Sequence, residues 1–201
     1  MSHTATAPSS GAGTGNPTRG RWGLVVAGLL LQLSLGAVYA WSVFSSALQK
    51  AAAFKLTKPE ATLPFEVAIG MIFIGTFLGG RIQDRRGPRT VAIIGAVIYG
   101  LGVIIASFAH DRAHLHLLVI GYGVLAGFGL GLAYIVPIAM LQKWFPDRRG
   151  LITGLAVGGF GFGAVVTAPI AQALIKNNPD VPTAAFLPLG RMPGGRGHML
   201  R

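Results

Sequence analysis

The chain of 201 residues has no cysteine, which excludes disulfides, thiol nucleophiles and thiolate-bound metals. Charge is almost as scarce. Asp, Glu, Lys and Arg make up 11% of the residues, where a soluble domain carries about a quarter. Only six carboxylates are present, and the longest apolar runs contain no lysine or arginine. What remains is 52% hydrophobic and holds 30 glycines. The net charge of +11 would suggest nucleic acid in a soluble protein, but here the cations sit in short clusters between apolar runs rather than along one face. The composition therefore implies a membrane protein whose partner is the lipid bilayer, with no nucleic acid.

A bilayer core about 30 Å thick needs roughly 20 apolar residues at a helical rise of about 1.5 Å. Five runs meet this, near 23–44, 64–80, 90–109, 115–141 and 151–175. Open strands cannot satisfy their backbone groups in lipid, so these runs predict helices and an all-α membrane protein. Loop charges orient it. Arg19, Arg21, Arg81, Arg85, Arg86, Arg89, Lys143, Arg148 and Arg149 fall on one side; Lys50, Lys55, Lys58, Arg112 and Lys176 fall on the other. The excess of cations predicts a cytoplasmic N-terminus in a multi-pass cell-membrane protein. Residues 1–18, rich in Ser, Thr, Gly and Ala, predict a disordered cytoplasmic tail. A cleaved leader ending at Ala40 is the alternative for the first run, but its apolar character continues through Trp41, Val43 and Phe44, which suits a span.

Between the second and third runs lies "GGRIQDRRGPRT", residues 79–90, a charged turn in which Gly87-Pro88 breaks the helix. Its spacing, Gly80-x-x-x-Asp84-Arg85-x-Gly87-x-Arg89, resembles the signature loop of the major facilitator superfamily, found between that family's second and third helices. The resemblance implies that these residues latch the two halves of a transporter together and release during alternating access. Asp84 is expected to pair with neighbouring arginines or to sit at a helix N-terminus, and Gly80 and Gly87 to permit close approach and a sharp reversal.

Three further stretches, "GAVYAWSVF", "GFGLGLAYIVP" and "KWFPDRRGLITGLAVGGFGFGA", are similar to the oxalate/formate antiporter branch of that superfamily. The most specific part is the second cytoplasmic loop, Trp144, Phe145, Pro146, Asp147, Arg148, Arg149 and Gly150. Over residues 19–190 the resemblance implies the N-terminal half of a twelve-helix carrier, with Tyr39, Tyr134 and Phe160 lining a central cavity for small mono- or dicarboxylates. Phe160 stands where the oxalate-transporting member has tyrosine, so one hydroxyl donor is missing. Trp41 is a further candidate, although it lies about 200° round a helix from Tyr39. Gln32, in the middle of the first run, can hydrogen-bond to another helix or to substrate; the sequence leaves both open.

Glycines recur at helical spacing: Gly123, Gly127 and Gly131; Gly154 and Gly158; Gly159 and Gly163. Such small faces let helices approach closely. "GGFGFG" lacks the preceding strand and following acid of a dinucleotide-binding loop, and no cofactor is expected. Glu66 is either a proton-coupling carboxylate or, given Pro64 two residues earlier, a solvated interfacial one. His110, Asp111, His114 and His116 read as an outer loop without further ligands, so no metal is expected. The runs contain no nucleophile with a base and no acid pair, so no catalytic residues and no enzyme activity are expected.

The expected sixth run starts at "TAAFLPLG", residues 183–190, and is interrupted by "RMPGGRGHMLR", whose three arginines cannot continue a membrane helix. The expectation is a truncated half with five full spans, an interrupted sixth and an aberrant basic tail at 191–201. It would carry small organic anions only with a C-terminal half or a second copy of itself. The alternative is an inactive, non-transporting remnant of such a carrier.

Overall fold

The computed structural model describes residues 17–177 and 182–186. Of the expected disordered tail, 1–18, residues 1–16 lie outside the described residues, as do 187–190 and 191–201, while Pro17 and Thr18 are helical instead, the first residues of the helix that continues into the first span. Five helices are long and apolar enough to cross a membrane: α1 (Trp22–Lys50), α2 (Lys58–Arg86), α3 (Pro88–Ser107), α4 (Arg112–Trp144) and α5 (Pro146–Lys176). The order and number match the five apolar runs. With no strand among the described residues, the chain is an all-α membrane bundle.

The ends move outward from the apolar runs because caps, not hydropathy, decide where a helix starts. α2 begins at Lys58 because Thr57 and Glu60 form a capping box, with the Thr57 backbone N–H donating to Glu60 Oε2 at 2.8 Å. Pro64 is inside this helix instead of at its start, and Glu66 sits about two turns in, on an exposed face. At its other end α2 continues through Arg86. The expected turn shrinks to Gly87 alone, whose φ of 81° and ψ of 165° suit glycine and few other residues, and Pro88 opens α3 where its missing N–H has no helical partner to lose.

Helix association rests on glycine. α4 is the most buried of the five spans and packs between α2 and α3, while α5 packs along α1. Gly123, Gly127 and Gly131 all face α2, where a Cβ would meet Pro64 and Val67, Ala68, and Ile72 and Thr76 in turn. Gly121 and Gly129, which the four-residue spacing does not single out, face Gly102 and Gly95 of α3. Over Val119–Ala126, the stretch that carries Gly121 and Gly123, α4 widens into a π-helix. On the other side Gly36 and Gly163 bring α1 and α5 into backbone contact, and Gly159 meets Leu29. There α1 tightens into a 3-10 segment, Gly36–Ala40. The expected face of Gly154 and Gly158 meets nothing within 4 Å among the described residues, so that pair does not mediate packing within this chain.

The expected sixth span is represented by a 3-10 turn, Pro182–Phe186, not by the first turns of an α-helix. Thr183 anchors it by donating its hydroxyl to the Ala109 carbonyl at 2.6 Å. Phe186 then stacks on Phe44 and Tyr122, with ring centroids 4.6 and 5.8 Å apart.

These contacts make two comparisons decisive. Gly163→Leu should lower the thermal unfolding temperature in detergent, an overpacking penalty of about 1–3 kcal/mol or more, whereas Gly158→Leu should leave it nearly unchanged; equal effects would refute the glycine-seam account. Gly87→Ala should cost about 1–3 kcal/mol through backbone strain and speed tryptic cleavage at the neighbouring arginines. Gly80→Ala, facing open space, should do neither.

Candidate functional site

Three aromatic rings from three helices meet in one place. Tyr39, on the 3-10 segment of α1, and Tyr134, on α4, both approach Phe160 of α5, at centroid distances of 5.2 and 4.9 Å and interplanar angles of 69° and 66°. These edge-to-face geometries are favourable for aromatic pairs. Phe65 of α2 adds a fourth ring 6.4 Å from Tyr39. Phe160 is buried while Tyr39 is 43% exposed, so the cluster has a closed base and an open rim. The α1–α5 glycine contact sets this geometry. Gly36 and Gly163 flank Tyr39 and Phe160 by three residues each, and the backbone approach they permit carries the two rings together.

Gln32 lies about two turns before Tyr39 on α1, ahead of the 3-10 segment that carries the tyrosine. Its side chain is fully buried, donating from Nε2 to the Tyr134 backbone carbonyl at 3.5 Å. Among the described residues its Oε1 has no hydrogen-bond partner. A buried amide oxygen left unpaired is unfavourable, by about 1–3 kcal/mol, and here the unpaired acceptor is beside the α1–α4 contact that carries Tyr134. The residues are thus an aromatic cluster with two hydroxyls above a polar amide, suited to a small planar solute that accepts and donates hydrogen bonds.

Trp41 belongs elsewhere. It is 3% exposed, donates from Nε1 to the Ala61 carbonyl at 2.9 Å and packs on Tyr122 with centroids 4.3 Å apart. That is a packing role, and the two-residue offset from Tyr39 explains it. Tyr122, missed in the sequence reading, is buried with its hydroxyl donating to the Val38 carbonyl at 3.3 Å. Its only sequence signal was a tyrosine between the glycines of "GYG". A separate apolar cavity of about 460 Å³ borders Tyr99 and Tyr122 on the far side of this packing cluster.

The arginine-rich turn differs from expectation in detail. Gly80, Asp84 and Arg85 are on the last turns of α2, Gly87 is the turn itself, and Arg89 is on the first turn of α3. Asp84 is exposed near a helix C-terminus, where the dipole disfavours an anion, and no arginine of the described residues is in ion-pair range. The expected Asp84–arginine pairing within this half and the expected helix N-terminus are therefore both absent. Arg81 instead lies 4.7 Å over the ring of Phe77. Gly80 meets no neighbour within 4 Å, so it permits no close approach inside this half.

In the second loop Trp144 ends α4, Pro146–Arg148 form a 3-10 turn, and Asp147, Arg148, Arg149 and Gly150 are exposed. Phe145 is buried and meets Trp22 at 5.8 Å, closing the loop over the start of α1. Gln142 donates to Thr153 Oγ1 at 2.9 Å and ties α4 to α5 across the same loop.

At the opposite end, Arg112 donates to Glu60 Oε1 at 2.7 Å, bridging α4 to the capping box of α2. Asp111 caps the start of α4 by accepting from the His114 backbone N–H, and it also contacts His114 Nδ1 at 2.7 Å. The His114 hydrogen bond holds the Asp111 carboxyl below its ordinary range. Among the described residues no group of three or more His, Cys, Asp or Glu could hold a metal ion.

Residues 25–190 match the sequence profile of the Major Facilitator Superfamily. The chain is 31% identical over 154 residues to the uncharacterized MFS-type transporter YhjX of Escherichia coli, covering 75% of this chain and 36% of that protein. It is 32% identical over 164 residues to monocarboxylate transporter 13 of Rattus norvegicus, covering 80% and 37%. Apicoplast pyruvate carrier 1 of Toxoplasma gondii is 35% identical over 113 residues, covering 56% and 20%. The chain therefore spans little more than a third of the length of the first two of these relatives. None of these names specifies oxalate or formate, so the similarity to that branch is not carried further by them. The match covers all but the first residues of the five-helix bundle and the motif-bearing turn between α2 and α3, and the chain belongs to the major facilitator superfamily.

Proposed function

We propose that the chain forms the N-terminal half of a secondary carrier for small monocarboxylates, working by alternating access with a C-terminal half or a second copy. The observation that carries this reading is the convergence of Tyr39, Phe160 and Tyr134 from α1, α5 and α4 over the buried Gln32. Two phenol hydroxyls can donate to one carboxylate group and hold it in place, while Phe160 and Phe65 cover a short apolar substituent; the unpaired Gln32 Oε1 only accepts, so it would take a donor such as a protonated carboxyl. The monocarboxylate and pyruvate carriers among the relatives support the same substrate class.

Oxalate suits this half less well. Phe160 replaces a hydroxyl with a hydrogen, and the five spans contribute no intramembrane lysine or arginine to offset a second buried negative charge. The compensating cation would come from the other half. The signature turn would serve as the latch: with no ion-pair partner among the described residues, Asp84 and its flanking arginines would pair with the opposing half.

Proteoliposome counterflow with labelled pyruvate, formate and oxalate tests the reading, using the chain alone and co-reconstituted with a C-terminal superfamily half. Tyr39→Phe should weaken monocarboxylate uptake about three- to tenfold, the effect of one lost hydrogen bond. Phe160→Tyr should shift preference toward oxalate. Uptake indifferent to both substitutions would exclude this site.

Because the chain has no native cysteine, single substitutions also report orientation without background. A membrane-impermeant maleimide should label Ala52→Cys on intact cells and Arg85→Cys only after lysis. The reverse pattern would overturn the proposed cytoplasmic N-terminus.

A further inference from the structure

At the end of the bundle opposite the arginine-rich turn, α1 and α5 separate. They touch backbone to backbone at Gly36 and Gly163, and beyond that crossing they splay to leave a groove of about 860 Å³. Its lining mixes apolar residues such as Val43 and Ile175 with five polar ones: Ser42, Ser46 and Lys50 on α1, Gln172 and Lys176 on α5. All five are exposed, and no carboxylate lines the groove among the described residues. Two ammonium groups facing one concavity repel each other unless an anion lies between them.

The groove is continuous with the aromatic site by helix register. From Tyr39, Ser46 and Lys50 are seven and eleven residues on, within about 20° of the same direction round α1. The same stripe therefore leads from the lysine to the exposed tyrosine ring over about 16 Å of helix. That distance exceeds the screening length of about 8 Å at physiological salt, so the lysines act on an anion as it arrives and not while it is held between the aromatic rings. Ser46 donates its hydroxyl to the Ser42 carbonyl at 2.9 Å, which leaves the two lysines, Gln172 and the Ser42 hydroxyl as the groove's donors among the described residues.

We infer that this groove is an anion-collecting site, in which Lys50 and Lys176 bind a small carboxylate before it passes along α1 to Tyr39. This rests on the carboxylate reading above for the identity of the solute, while the groove itself is independent of the aromatic cluster. The oxyanion chemistry is shared by one other source, the phosphate of an acidic lipid headgroup, which lysines at a membrane border also attract.

The test uses the full chain in nanodiscs of zwitterionic phosphatidylcholine, with line broadening of [13C]formate as the readout. The wild type should broaden the signal, and salt should suppress the effect. Lys50→Gln and Lys176→Gln should each weaken binding about two- to fivefold, the double substitution more, and Lys50→Arg with Lys176→Arg should restore it. The arginine pair guards against reading a folding defect as lost binding. Tyr39→Ala should leave the lysine-dependent broadening in place.

If the glutamine pair binds formate as the wild type does, while Tyr39→Ala abolishes binding, the collecting site is refuted and the central-site reading survives. If lysine-dependent binding persists while counterflow is absent, the groove stands and the carrier reading falls. Should the wild type ignore formate but retain phosphatidylglycerol through the two lysines, the groove is a lipid-headgroup site and the inference is overturned.

Discussion

Backbone-to-backbone contact between helices is the interaction on which the bundle depends. In a bilayer the lipid tails are as apolar as leucine, so burying apolar side chains gives helices little reason to associate. Close approach does, because it gathers many dispersion contacts at once. The chain provides it at two seams, α4 against α2 and α3, and α1 against α5, each built from glycines whose added Cβ would strike a backbone atom of the neighbour. The remaining features are placed by those seams. Gly36 and Gly163 put Tyr39 beside Phe160, and the divergence beyond them opens the lysine groove.

The seams also divide the aromatic residues into two populations with different chemistry. Trp41, Phe44, Tyr122 and Phe186 stack together and satisfy their polar tips on backbone carbonyls, as buried aromatics with N–H or O–H groups do. Tyr39 and Tyr134 converge on Phe160 from separate helices, with Tyr39 still open to the surroundings. The first group holds together the end of the bundle opposite the arginine-rich turn. The second lies near the buried Gln32, whose Oε1 has no hydrogen-bond partner among the described residues.

Charge is kept to the two ends and used differently at each. The turn between α2 and α3 concentrates arginines around an unpaired Asp84, while the opposite end pairs Arg112 with Glu60 and leaves Lys50 and Lys176 facing a groove. Among the described residues Asp84 and its flanking arginines form no ion pair. Superfamily membership covers residues 25–190, a match that spans little more than a third of the length of those first two relatives.

Hydropathy alone determined the five helices, their order and the membrane setting, because lipid forbids any other backbone arrangement over 20 apolar residues. It was blind to the ends: Thr57, Lys58 and Glu60 are polar, yet their capping box starts α2 well before its apolar run. The spacing of Gly123, Gly127 and Gly131 was legible as one helix face and did pack as one. Gly154 and Gly158 had similar spacing and met nothing, since spacing defines a face without saying what lies opposite. The site divided in the same way. Sequence nominated Tyr39, Tyr134, Phe160, Gln32 and Trp41, but only the crossing of α1, α4 and α5 brought the first three rings together, left one oxygen of Gln32 unpaired and turned Trp41 into packing. Which residues face lipid, each other or a solute is a property of pairs of helices, and a single chain read in order carries only one member of each pair at a time.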